Sequence, residues 1–68
     1  MTWIIHKGVR DRIVNIDCFD EIHHQQCSII LIRGETLRLL EYNDEKEAKQ
    51  AFGYLMEAIK RGDNLVNL

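Results

Sequence analysis

Three groups of side chains have types and spacings that could do chemistry. Cys18, His23, His24 and Cys27 form a Cys-x4-His-His-x2-Cys run. Thiolates and imidazoles together are what a tetrahedral zinc site asks for. The spacing serves zinc poorly. Neither a Cys-x2-Cys nor a His-x3-His pair is present, and adjacent residues of a strand point to opposite faces, so His23 and His24 cannot easily share one ion. A Cys–His nucleophilic dyad lacks an orienting third group and an oxyanion loop. The simpler reading is two small thiols near strand ends and two loop-side histidines, with no metal and no catalytic residues.

The second group is Lys7, Arg10 and Arg12, which surround a turn close to Trp3 and His6. Guanidinium groups grip phosphate in bidentate fashion and an indole stacks on a base, so Trp3, Lys7, Arg10 and Arg12 are the candidate contacts for a nucleotide-like anion. The alternative is a solvated turn neutralised by Asp11, with Trp3 filling core. The third group, Glu41, Asp44, Glu45 and Glu47, is acidic, and helix capping accounts for it. No glycine-rich phosphate loop, serine elbow or His-Glu-x-x-His occurs.

These side chains must be held by an α+β domain. The clearest element runs from Asn43 to Gly62. Ala48, Ala51, Phe52, Leu55, Met56 and Ile59 recur at three- and four-residue spacing, with Ala58 at the margin, and form an apolar helical stripe. Lys46, Lys49, Gln50, Glu57, Lys60 and Arg61 fill the other side. Asp44 with Glu47 suits a capping box, Lys60 and Arg61 suit the negative end of the helix dipole, and Gly62 supplies a left-handed stop. Gly53 is the one interior residue that disfavours a helix, and it falls on the solvent side.

Everything before the helix reads as strands. Thr2–His6, Ile13–Ile16, Phe19–His24, Ile29–Ile32 and Leu37–Leu40 are apolar or β-branched runs. In the third of these, Phe19 and Ile22 are three apart, so either a bulge separates them or Asp17–Asp20 forms a turn. Arg33-Gly34-Glu35 joins the last two runs in a tight hairpin. Its register places Ile30, Ile32, Leu37 and Leu39 on one face and Ile29, Leu31, Arg38 and Leu40 on the other. The first face is wholly aliphatic and is expected to carry the core against the helix. The second is still three-quarters aliphatic, more than a face in water needs. That surplus is assigned to an oligomer interface made of Ile29, Leu31, Arg38 and Leu40; wrapping by the first two strands, as in a small barrel, is the alternative. The expected fold is thus a four- to five-stranded antiparallel β-meander at 2–42, one amphipathic helix at 43–61 packed on the sheet, and a tail at 62–68. Leu65, Val66 and Leu68 in the tail are suited to docking on this domain or on a neighbouring subunit.

Sixty-eight residues make one domain, of a size that is marginal alone and is often helped by a partner. The net charge is −2, with the first half balanced and the second acidic, which disfavours a nucleic-acid partner. No charged-then-apolar leader is present at the start and no apolar run approaches the roughly 20 residues that span a bilayer. The two cysteines are read as reduced thiols and the protein as cytoplasmic, without a cofactor, its main partner another copy of itself.

The layout Val14-Asn15-Ile16-Asp17, then Phe19 and Ile22, then the hairpin at Gly34, then Asp44-Glu45-x-Glu47-Ala48, resembles a set of small uncharacterised bacterial and phage proteins that read as a β-meander followed by one helix. The first two-thirds is also similar in pattern to the flagellar-operon FlbD proteins, where an Asn-Gly turn is usual in place of Arg33-Gly34. The long C-terminal helix departs from that pattern. The resemblance implies a fold and a bacterial or phage setting, and it carries no functional residues. The function expected from these readings is a non-enzymatic binding or regulatory module acting as a homo-oligomer. Sequestering a nucleotide-like anion at a subunit interface is the alternative, and nucleic-acid-binding regulation ranks third.

Overall fold

The computed structural model describes residues 2–7 and 11–68. Six strands and one long helix follow one another: β1 (Trp3–Lys7), β2 (Asp11–Asn15), a single 3-10 turn (Ile16–Cys18), β3 (Glu21–Gln25), β4 (Ser28–Arg33), β5 (Thr36–Glu41), α1 (Glu45–Arg61) and β6 (Leu65–Asn67). The protein is α+β as expected. The strands do not form a single four- or five-stranded meander. They divide into two three-stranded sheets, β2-β1-β6 and β3-β4-β5. The break falls at Ile16–Cys18, where the Asn15 side chain accepts a hydrogen bond from the Asp17 N–H and the backbone turns before Phe19. That turn resolves the three-residue offset between Phe19 and Ile22.

Local signals are realised closely. Arg33 pairs with Thr36, so the hairpin loop is Gly34-Glu35, with Gly34 at φ 57°. Asp44 caps α1, its carboxylate accepting from the Glu47 N–H at 2.8 Å, and Gly62 ends the helix at φ 76°. The tail docks on its own chain. β6 runs parallel to β1, with Trp3 beside Leu65 and Ile4 beside Val66, and its ends are tied by Trp3 N–H to Asn64 O and Leu68 N–H to Ile5 O. That parallel pairing makes the first sheet mixed.

The core corrects the face assignment. Ile4, Ile29, Leu31, Leu40, Leu55 and Ala58 have no exposed surface, and with Ile16 and Val66 they form one cluster between the two sheets and the helix. Ile29, Leu31 and Leu40 therefore face the helix and the first sheet inside one chain; they are not an oligomer interface. Ile30, Ile32, Leu37 and Leu39 lie on the opposite, outward face, where Leu37 is exposed. β3 supplies the reason. Ile22 and His24 stand opposite Leu31 and Ile29, whereas Glu21, His23 and Gln25 stand beside the other face. Summed over three strands each face holds four aliphatic residues; the charges of the Leu31 face, Arg33 and Arg38, lie exposed toward the hairpin end, whereas burying the other face would have desolvated Glu21 and Glu41. Arg38, also placed in the expected interface, is tolerated on the inward side because it lies on an edge strand and is exposed.

The helix stripe is displaced in the same way. Ala48, Leu55 and Ala58 form its buried centre, with Ala51 and Phe52 packed beside them, while Met56 and Ile59 sit on the flank at 42% and 40% exposure. Alanines at the centre let the helix lie close to β3 and β4.

Candidate functional site

Strand alternation determines where the candidate residues go. On the first sheet, Ile4, His6, Arg12, Val14 and Val66 share the inward face, and Trp3, Ile5, Lys7, Asp11, Ile13, Asn15, Leu65 and Asn67 share the outward face. Trp3 and Lys7 therefore stand on the side opposite Arg12, and Arg10 lies outside the described residues. The three described members of the expected anion site do not converge: Trp3 and Lys7 share the outward face and Arg12 stands on the inward one.

Trp3 lies on the central strand, at the end of the outward face opposite Lys7 and Asp11. It is 41% exposed, beside Leu65 at 55%, and Ile5 pairs with Ile13 at 70%. Trp3 does not fill core. Lys7 and Asp11 stand opposite one another at one end of this face.

Lys7 also reaches a shallow cleft of about 530 Å³ beside the first half of α1, walled by Tyr42, Glu47, Gln50, Tyr54 and Asn67. Tyr42 forms its inner wall. Its ring meets the buried His6 edge-on, with centroids 4.7 Å apart. Its hydroxyl is buried without a hydrogen-bond partner among the described residues. Burial, and then the negative charge of Glu47, push its pKa up to about 12.

Arg12 instead shares a cleft of about 580 Å³ with Arg38 of β5; Ile13, Val14, Asn15, Cys18 and Phe19 complete its walls. The two arginines come from different sheets. Neither guanidinium makes a hydrogen bond or ion pair with a described residue. Among the described residues no carboxylate side chain lines the cleft. Sequence reasoning missed this pairing. The available signal was Arg38 itself, the one charged residue among aliphatics on its strand face.

The Cys-His-His-Cys run is dispersed. Cys18 ends the 3-10 turn and Cys27 lies in the β3–β4 turn, both exposed. His23 points outward, its Nδ1 2.7 Å from a Glu21 carboxylate oxygen, while His24 points inward, 6.1 Å from the Phe52 ring. Among the described residues no three His, Cys, Asp or Glu side chains are grouped to hold a metal ion. No described helix is long and apolar enough to cross a membrane.

No family model, curated protein or solved structure matches this chain.

Proposed function

We propose that the protein is a non-enzymatic binding module that acts as a homo-oligomer, two copies meeting through the outward face of the β2-β1-β6 sheet. The observation that carries this reading is the exposure of Trp3, Ile13 and Leu65 together on one three-stranded face. Tryptophan is the residue most enriched among energetic anchors of interfaces, and a contiguous apolar patch on a small domain marks a contact surface.

Charge favours a second copy as the occupant. A two-fold interface brings the same patch against itself, so a patch with net charge repels its own image. Here Lys7 and Asp11 cancel, and the remaining polar residues, Asn15 and Asn67, are neutral. The outward face of the other sheet carries Glu21 and Glu41 around Ile30, Ile32, Leu37 and Leu39, so self-pairing there would crowd four carboxylates.

Size sets the affinity. Strands of five, five and three residues cover at most roughly 14 by 17 Å, on the order of 240 Å² on each copy. That total falls in the small, weak class of interfaces, and dissociation in the micromolar range or above is expected. Sedimentation of the wild type and of Leu65→Glu across micromolar to millimolar concentration tests the reading. Wild type should associate reversibly and Leu65→Glu should remain monomeric with an unchanged melt. A wild type that is monomeric throughout, or a Leu65→Glu variant that associates equally well, would refute it.

A further inference from the structure

We infer that the cleft between the free edge of β2 and Arg38 of β5 binds a small organic phosphate, with Arg12 and Arg38 on the phosphate and Phe19 against an apolar, flat remainder. Strand alternation normally reserves inward positions for apolar residues, and both arginines occupy such positions. Arg12 shares its face with Ile4 and Val14, and Arg38 shares its face with Leu31 and Leu40. Each cation sits where the inner space opens to solvent at the edge of its sheet.

The cleft is supplied with donors and holds no acceptor charge. Two guanidinium groups bring up to ten N–H donors, and among the described residues no carboxylate side chain competes for them. The backbone adds more. Ile16 N–H bonds to Thr2 O, so Thr2 and Ile16 form a hydrogen-bonded pair of the β1–β2 ladder. Pairs of the two kinds alternate along an antiparallel ladder. Val14 and Arg12 are therefore the next bonded residues, and Ile13 and Asn15 turn their N–H and C=O groups to the free edge. The Trp3 and Lys7 N–H groups bond instead toward β6 and the tail, which is the same phase read from the other strand.

Two like charges facing one cleft without a counter-charge repel each other, and a dianion relieves that repulsion while accepting bidentate bonds from both. Phe19 and Val14 supply an apolar wall, and about 580 Å³ is within the range of small-molecule sites. A phosphomonoester with a ring matches both halves. The cleft is built by one chain, so the inference stands apart from the oligomer reading, and monomeric Leu65→Glu protein must still bind.

The test is a heteronuclear NMR titration of the full chain with phenyl phosphate, and separately with inorganic phosphate. Saturable shifts are expected at the Ile13, Asn15 and Phe19 amides and at the Arg12 and Arg38 side-chain Nε–H groups. Phenyl phosphate should bind several-fold more tightly than inorganic phosphate. Arg38→Gln should weaken binding tenfold or more with an unchanged melt, since Arg38 is exposed. Arg33→Gln, which removes a cation from the same strand pair outside the cleft, should leave affinity within twofold. Shifts that never saturate, shifts centred elsewhere, equal affinity for the two probes, or equal losses in Arg33→Gln and Arg38→Gln would each overturn the inference.

Discussion

Leu31→Glu and Leu39→Glu separate the two faces of the second sheet. Leu31 has no exposed surface and touches the shared core; Leu39 lies on the outward face beside Ile30. A domain of this length has a total stability of about 3–10 kcal/mol at typical per-residue values. Removing the Leu31 side chain alone costs about 2–5 kcal/mol when the site cannot collapse. A carboxylate placed there adds several kcal/mol more, whether it stays charged without a partner or is forced neutral. Together these losses equal or exceed the whole stability, so Leu31→Glu should be unfolded at neutral pH. Leu39→Glu loses a partly buried contact with Ile30 on a face open to water, about 1–2 kcal/mol, and its carboxylate reaches solvent. Far-ultraviolet circular dichroism with urea titration measures both. The reasoning fails if Leu31→Glu melts cooperatively near the wild-type midpoint, or if Leu39→Glu unfolds while Leu31→Glu survives. The second result would place α1 on the outward face.

Three further outcomes follow from the same geometry. Leu55→Ala, at the buried centre of α1, should cost about 2–5 kcal/mol, and Ile59→Ala, on the exposed flank, clearly less; equal urea midpoints would contradict the rotated stripe. Gly53→Ala should raise stability by about 1 kcal/mol, because a Cβ there meets nothing within 4 Å, and a lower thermal midpoint would show that the position is packed. Tyr42 is protonated in both folded and unfolded states below its ordinary pKa near 10, so its contribution is intact there and is lost as pH rises from 10 toward about 12. Wild type should therefore lose on the order of 2–3 kcal/mol relative to Tyr42→Phe across that window, and parallel pH profiles for the two proteins would rule the shift out.

Local features were legible in the sequence because local chemistry decides them. The Gly34 loop, the Asp44 cap and the Gly62 stop each depend on a residue's own φ preference or on a hydrogen bond within a few residues. Which hairpin residues share a face followed from a two-residue loop at either Arg33-Gly34 or Gly34-Glu35, and the structure keeps that grouping with the loop at Gly34-Glu35. Which face was buried was not local. It depended on β3, which adds Ile22 and His24 to the inward side and Glu21, His23 and Gln25 to the outward side. The pairing of β6 with β1 joins the two ends of the chain, and no short-range pattern encodes it. The same holds for the arginine cleft. Arg12 was visible as part of a basic turn and Arg38 as an odd charge on a strand, but only the packing of β2 near β5 brings them to one space.

The central claim is that the outward face of the first sheet meets a second copy. Trp3 is the chain's single tryptophan and lies on that face. Its emission, followed from nanomolar to millimolar protein at fixed pH and salt, reads burial of the face directly. Wild type should show a blue shift that rises with concentration along a single reversible isotherm, and Leu65→Glu should show none. Emission that stays constant across the range, or shifts identically in both proteins, would contradict that claim.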